Sequence, residues 1–206
     1  RFGGRNFVMD ASNERVVRDA WEAFTQNQVW SCPKVSGIAF RPDLPPGDIV
    51  NKAGTAYVNT WFPATVPMVE GDPSPYLDLL NRMIPNDADR ASLLAYFAAC
   101  VQHPGVKFQW APLIQGVEGN GKTFLATAVA RAIGDQFVHK PNAADLGGGG
   151  GKFTAWLQGK LFIIVEEIYT ADRREVLDIL KPMITNDMIE IQGKGKDQYT
   201  GDNRAN

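Results

Sequence analysis

The sequence has few residues of the kinds that build disulfide frameworks or metal sites. Its 206 residues include two cysteines, Cys32 and Cys100, which are far apart and lack metal-binding spacing. We therefore expect free, buried thiols in a reducing compartment. No apolar run approaches the roughly 20 residues that a membrane helix needs. No charged leader followed by an apolar stretch is present, so the sequence predicts a soluble, cytoplasmic protein.

The chain also lacks a large excess of positive or negative charge. The net charge of −2 gives no overall attraction to nucleic acid, so DNA binding would need a local basic patch. The two histidines, His103 and His139, lie in predicted turns without acidic partners at metal-binding spacing. We interpret them as solvated loop residues. Because the chain begins at Arg1 and has no terminating signal after Asn206, we interpret it as a fragment of a larger polypeptide.

Composition and periodicity change near residue 75, which predicts two regions. Residues 1–75 are expected to form a small, irregular α+β part, with a helix from Ser12 or Asn13 and a strand in "TAYVNTWF". Residues 76–206 open with a helical lead-in and then alternate strand and helix. That order favours an α/β fold with a mainly parallel sheet flanked by helices.

Within the second region, patterning predicts two helices and a hairpin around the loop motifs. Gly134 is expected to end the first helix, and Pro182 to break the second, "DRREVLDILKPMI". "MIEIQGKGKDQYTG" is typical of a hairpin. The apolar face of the first helix is predicted to consist of Phe124, Leu125, Ala128, Val129, Ala132 and Ile133.

Residues Gly116–Thr123 match the pattern G-x-x-x-x-G-K-[ST] in full, after a predicted strand at about Leu113–Gln115. Such a loop binds phosphate because its glycines let successive N–H groups turn inward, and the next helix presents its positive end. We expect Lys122 to reach the β- and γ-phosphates of ATP and the Thr123 hydroxyl to ligate Mg²⁺. The predicted nucleotide-binding residues are Gly116, Val117, Glu118, Gly119, Asn120, Gly121, Lys122, Thr123 and Phe124.

Two acids end the apolar stretch "LFIIVEE", which is typical of a buried parallel strand. Glu166 is expected to hold Mg²⁺ through water, and Glu167 to orient and deprotonate the attacking water. With Lys122 they form the predicted catalytic set. The alternative is a strand that runs into an acidic surface turn. The pair favours an ATPase over a small-molecule kinase.

A second glycine–lysine run, Gly147–Lys152, does not fit the phosphate-binding pattern. Its register would place the first glycine at Leu146, and Phe153 stands where the magnesium-binding hydroxyl is required. We interpret Gly147–Gly151 as a flexible connector. Our hypothesis is that it acts as a hinge when ATP binds.

These motifs resemble the helicase region of phage and plasmid primase–helicases, within superfamily 3 of the AAA+ ATPases. The resemblance covers about residues 76–206 and rests on "YLDLLNRMIPNDADRASLLAYFAACVQHPGVK", "LIQGVEGNGKT", "KFTAWLQGKLFIIVEE" and "LKPMITNDMIEIQGKGK". It implies a P-loop NTPase fold and an ATP- and Mg²⁺-dependent motor that acts on single-stranded DNA as a hexameric ring. It further implies a primase domain upstream in the same polypeptide and a location in the host cytoplasm.

In that family a basic hairpin faces the channel of the ring, which makes Lys194 and Lys196 candidate DNA contacts. Taken alone, two lysines on a glycine turn are more typical of a solvated hairpin tip. The family's sensor residue and arginine finger would follow Asn206, so we expect this chain to bind nucleotide and hydrolyse it poorly. Arg173 and Arg174 are interpreted as surface residues.

Two other functions remain open on the sequence. One is a nucleotide-dependent module that assembles a replication complex without unwinding DNA. The other is a different P-loop enzyme, such as a packaging ATPase or a kinase. ATP hydrolysis stimulated by DNA would indicate the motor, whereas phosphate transfer to a small molecule would indicate the kinase.

Overall fold

The computed structural model describes residues 6–9, 12, 15–26, 35–67, 69–146, 154–166, 173–193, 195 and 197–206. They form an α/β protein with small sheets. One compact unit comprises Arg1–Ile38 and Ile49–Val58, and the other comprises Ala39–Asp48 and Asn59–Asn206. The division after residue 75 stays a prediction. Among the described residues, no helix is both long and apolar enough to cross a membrane.

The strands are short and the helices carry most of the regular structure. The strands are β1 (Phe7–Val8), β2 (Val16–Val17), β3 (Gly37–Ala39), β4 (Ile49–Lys52), β5 (Thr55–Asn59), β6 (Val138–His139), β7 (Phe162–Ile163), β8 (Met188–Ile191) and β9 (Tyr199–Asp202). The helices are α1 (Ala20–Gln26), α2 (Ser74–Met83), α3 (Asp87–Gln102), α4 (Lys122–Ile133), α5 (Ala143–Leu146) and α6 (Arg173–Thr185).

The smaller unit differs from the sequence prediction at its first helix. A helix was expected from near Ser12, but Val16–Val17 form β2 and pair antiparallel with β1, so α1 begins only at Ala20. Two adjacent β-branched residues favour the extended backbone at this point. Trp21 and Phe24 on α1 are 72% and 53% exposed.

The strand predicted in "TAYVNTWF" is confirmed as β5. It is the central strand of a sheet in the order β3–β5–β4, and it pairs antiparallel with β4. Ala53 and Gly54 join β4 to β5 with φ angles of 48° and 79°. Positive φ at both positions matches the twist of a tight hairpin.

The main core of the larger unit lies between α2, α3, α4 and the β6–β7 pair. Asn86 begins α3 by accepting the N–H groups of Ala88 and Asp89 at 2.9 and 3.0 Å. Cys100 is a free, buried thiol, as predicted, while Cys32 lies outside the described residues. The buried core residues are Leu80, Leu93, Tyr96, Phe97, Cys100, Leu125, Val129, Ala130, Ile133, Phe137, Leu161, Phe162 and Ile164.

Helix α4 confirms half of the predicted apolar face. Leu125, Val129 and Ile133 are buried, and Gly134 ends the helix with a φ of 104°, as predicted. Ala128 is partly buried, whereas Ala132 is exposed and Phe124 is 58% exposed. Phe124, Ala128 and Ala132 follow one another at a spacing of four residues, so they form one stripe of α4 at the margin of the core.

In the described ranges, the mainly parallel sheet expected from the sequence is reduced to one short parallel pair, β6–β7, and a single parallel bridge at Asn206. The pairs β1–β2, β4–β5 and β8–β9 are antiparallel. The Ile164 N–H donates to the His139 carbonyl at 3.0 Å, which extends the parallel pairing. Asn206 also pairs with β7. Its backbone N–H donates to the carbonyl of Leu161 at 2.9 Å, and its carbonyl accepts the N–H of Ile163 at 2.8 Å. These two bonds have the geometry of a parallel bridge.

The prediction of a strand at Leu113–Gln115 is wrong. Residues 111–117 have no regular secondary structure, and Leu113 is 82% exposed. Among the described residues, no backbone hydrogen bond joins residues 111–117 to a strand. Pro112 also removes one N–H group that a strand would need.

A second, smaller core forms around α6, which continues through Pro182 to Thr185, so the predicted break is wrong. Val176, Leu180 and Met183 are all buried there, on both sides of the proline. A proline in a helix interior costs about 3 kcal/mol. Burial of one such apolar side chain contributes about 1.5–3 kcal/mol, so the three together outweigh that cost. The predicted hairpin is confirmed as β8–β9.

Candidate nucleotide site

The glycine-rich loop is a turn that leads directly into α4. Gly119 and Gly121 have φ angles of 75° and 96°, a backbone conformation that residues with a side chain rarely adopt. At Gly116 the requirement is space, because a Cβ there would lie 2.7 Å from Nδ2 of Asn120. The backbone conformation therefore favours glycine at Gly119 and Gly121, whereas at Gly116 the Asn120 side chain would have to move to make room for a Cβ.

Lys122 folds back over this loop. Its ammonium group donates to the carbonyl oxygens of Gly116 and Val117 at 3.0 and 2.6 Å, and to Oδ1 of Asn120 at 3.0 Å. An ammonium group has three hydrogens to donate, so these acceptors satisfy it fully. Through these bonds, the Lys122 side chain connects the start of the loop, Gly116 and Val117, to Asn120.

The backbone donors of the loop are unpaired. From Gly119 to Thr123, no N–H group has an acceptor among the described residues. The last two of these groups belong to the first turn of α4, a 12-residue helix whose N-terminal end carries partial positive charge. Consecutive free N–H groups at a helix start form an anion-binding concavity.

Helix α2 packs against the loop and the first turn of α4, which the sequence did not predict. A Cβ at Gly121 would lie 3.6 Å from Sδ of Met83 and 3.7 Å from Cδ1 of Leu79. The hydroxyl of Tyr76 donates to the carbonyl of Leu125 at 3.4 Å. Contacts from α2 therefore hold both the turn and the first turn of α4.

Thr123 is exposed at the start of α4, and its hydroxyl has no partner among the described residues. Those residues also include no group of three His, Cys, Asp or Glu side chains that could hold a metal ion. Mg²⁺ is usually bound by one or two protein oxygens together with substrate phosphates. Thr123 fits a site of that kind, in which a nucleotide supplies most of the ligands.

Glu166 lies just beyond β7 and pairs with Lys140, which follows β6. The Lys140 ammonium and Oε1 of Glu166 are 3.3 Å apart, and the two side chains are 44% and 42% exposed. Because β6 and β7 are parallel, their carboxyl ends meet at one edge. Sequence patterning gave no signal for Lys140. No ion pair joins Glu166 to Lys122 among the described residues.

Several predicted functional residues lie outside the described residues. They are Glu167, Lys194, Lys196 and the segment Gly147–Gly151. The side chains of Arg173 and Arg174 are likewise outside. The roles assigned to all of them stay predictions.

His139 is not the solvated turn residue that was predicted. It belongs to β6, and its ring stacks on Trp156 with ring centroids 4.6 Å apart. Burial lowers the pKa of His139, while the carboxylate of Asp145, 3.9 Å from Nε2, opposes that effect. Nε2 makes no hydrogen bond to any residue that the structure describes. The arrangement is a packed aromatic pair beside the β6–β7 edge.

Comparisons with known proteins give one family and one group of solved structures. A family of unknown function, DUF5906, matches residues 114–206. Among curated proteins, none matches the chain. An apo structure of the C-terminal region of NrS-1, residues 305–718, is similar in fold, with a TM-score of 0.66 and 22% identity over 94% of this chain.

Two further structures of that region show the same likeness. An A-form apo structure matches 93% of this chain with a TM-score of 0.68, and a second matches 83% with a TM-score of 0.64. Both are 22% identical to this chain. The chain spans about half the length of these structures, covering 49%, 48% and 40% of them in turn. The similarity is one of fold.

Proposed function

We propose that the chain is the ATP-binding and hydrolysing motor domain of a phage-type replicative DNA helicase, which acts on single-stranded DNA. The observation that carries this proposal is the unpaired row of N–H groups from Gly119 to Thr123, at the positive end of α4 and beside Lys122. Such a donor set selects phosphate oxygens. NrS-1, whose C-terminal region has a similar fold, is a phage primase–helicase, which supports a role in replication.

The proposal includes a P-loop fold of the AAA+ type and assembly into a hexameric ring. A P-loop protein needs a parallel sheet whose carboxyl edge carries the site. The parallel pair β6–β7 and the parallel bridge between β7 and Asn206 support such a sheet. The ring belongs to the resemblance with superfamily 3 and has no separate structural support.

Each residue then has a defined task. Lys122 exchanges the carbonyls of Gly116 and Val117 for phosphate oxygens, and Thr123 and Glu166 hold Mg²⁺. When bound, Mg²⁺ neutralises negative charge on the phosphates. Glu167 orients and deprotonates the attacking water. Lys194 and Lys196 contact the DNA backbone.

Nucleotide binding tests the site itself. We expect Lys122→Ala to weaken binding of a fluorescent ATP analogue about ten- to a hundredfold, because a charge-assisted hydrogen bond to phosphate is lost. Lys181→Ala is the matched control, since it removes the same charge from an exposed position on α6. Equal binding by parent and Lys122→Ala would show that the nucleotide site lies elsewhere.

DNA dependence tests the motor. ATP hydrolysis should rise when single-stranded DNA is added, and the rise should be lost in Lys194→Ala/Lys196→Ala but kept in Lys160→Ala/Lys181→Ala. The assay is run on this chain and on a longer polypeptide that contains it. Nucleotide binding without turnover in both would favour the assembly module. Phosphate transfer to a small molecule would indicate a kinase.

A further inference from the structure

Lys140, which follows β6, and Glu166, which lies beyond β7, meet at the edge of the β6–β7 pair. We propose that Lys140 is the resident counter-ion of Glu166 and that Mg²⁺ displaces it when nucleotide binds. Lys140 thereby sets how much Mg²⁺ the site requires. This inference rests on the proposed function, in which Glu166 helps to hold the metal ion.

The backbone on either side of Lys140 is held in place. The carbonyl of His139, the preceding residue, accepts the Ile164 N–H at 3.0 Å. Pro141, the following residue, is buried. The position of the Lys140 backbone near Glu166 is therefore a consequence of the strand pairing, while its side chain is 44% exposed.

Glu166 is a carboxylate with one polar partner. Among the described residues its only hydrogen-bond or ion-pair partner is Lys140. Carboxylates buried under several N–H donors are poorly available to metals, whereas this one is 42% exposed and faces a single ammonium group. A hard divalent cation binds such oxygens readily.

The pair is also weak enough to open. Both side chains are substantially exposed, and ion pairs of this kind stabilise a protein little. Lys140 has no second carboxylate partner among the described residues. Of the other nearby charged groups, Asp145 is bonded to the backbone of Asn142 at 2.9 Å, and Lys160 donates to the Gln136 carbonyl at 2.7 Å. Among the described residues, Lys140 is therefore the one cation with which Mg²⁺ competes for Glu166.

The experiment titrates Mg²⁺ at a fixed concentration of a fluorescent ATP analogue and records the midpoint of the Mg²⁺-dependent binding signal. Lys140→Gln should lower that midpoint by about two- to fivefold, the size expected for loss of an exposed ion pair. Lys140→Arg keeps the charge and should keep the parent midpoint. Lys160→Gln removes the same charge beside the opposite end of β7 and should also leave the midpoint unchanged.

A double variant shows whether Lys140 acts through Glu166. In a Glu166→Gln background, Lys140→Gln should no longer shift the midpoint. An unchanged midpoint in the single variant would overturn the inference. So would weaker nucleotide binding by Lys140→Gln in EDTA, because that result would make Lys140 a direct phosphate ligand. If the parent bound no nucleotide at all, the proposed function would fail first.

Discussion

The ammonium group of Lys122 donates to the carbonyl oxygen of Val117 at 2.6 Å, so the lysine near the end of the loop is bonded to the loop's second residue. Backbone carbonyl groups of the loop therefore bind the ammonium group of Lys122. In the proposed nucleotide complex, a phosphate group would replace those acceptors, and Lys122 would reach it by a side-chain movement. The proposal therefore expects the loop to have its conformation before nucleotide binds.

Gly121→Ala should damage the site through backbone strain. The φ of 96° costs a residue with a Cβ about 1–3 kcal/mol, and the new methyl group would contact Leu79 and Met83. We expect weaker binding of a fluorescent ATP analogue and a lower urea midpoint. Gly71→Ala is the control, because no atom lies within 4 Å of its Cβ position and its φ is not positive. Parent-like binding by Gly121→Ala would mean that the loop changes conformation before it binds.

Glu167→Gln should separate binding from hydrolysis. The amide keeps the size of the side chain but cannot accept a proton, so we expect ATP to bind as in the parent and hydrolysis to fall by about 10²–10⁴-fold. Turnover is measured by phosphate release. Glu190→Gln, an exposed acid on β8, makes the same chemical change and should not alter turnover. Normal hydrolysis in Glu167→Gln would remove this residue from the mechanism.

Leu125→Ala should destabilise the packing of α4, the helix that follows the loop. Leu125 is completely buried in the main core, and truncation of such a residue costs about 2–5 kcal/mol. Leu177→Ala is the matched control, since Leu177 is also helical but 56% exposed. Urea unfolding of both variants measures the difference. If both lost the same stability, α4 would not pack as described.

Lys107 should make stability depend on pH in the alkaline range. Its ammonium group donates to the carbonyls of Met183 and Ala205, and burial lowers its pKa from 10.5 to about 8. Between these values the unfolded chain keeps a proton that the folded chain has lost, so the contribution of Lys107 to the free energy of unfolding rises with pH.

Lys107→Met removes this contribution. The difference in unfolding free energy between parent and variant should therefore grow in favour of the parent as pH rises above 8. Burial raises the pKa of Cys100 to about 11, which makes stability fall with pH. Because the charge of Lys107 also lowers the pKa of that thiol, the comparison is made in a Cys100→Ala background, in which only the lysine titration differs. A difference independent of pH would show that Lys107 titrates normally.

The candidate site was predictable where its chemistry depends on neighbours in the chain. The spacing from Gly116 to Thr123 indicated the loop, and the positive φ angles of Gly119 and Gly121 show why glycine is favoured at those two positions. The sequence analysis did not identify Lys140, because it lies 26 residues from Glu166 and belongs to no motif. His139 was misread as a solvated turn residue, since its ring contact with Trp156 also depends on distant residues.

The sequence by itself determined the local features of this protein: the glycine-rich loop before α4, the end of α4 at Gly134 and the β8–β9 hairpin. Each depends on a few adjacent side chains and their backbone preferences. Only the tertiary structure decided that α6 continues through Pro182, that Phe124 is exposed, and that Glu166 meets Lys140. Those outcomes depend on which distant surfaces are buried together and which strands pair, and residue spacing along one chain does not encode that choice.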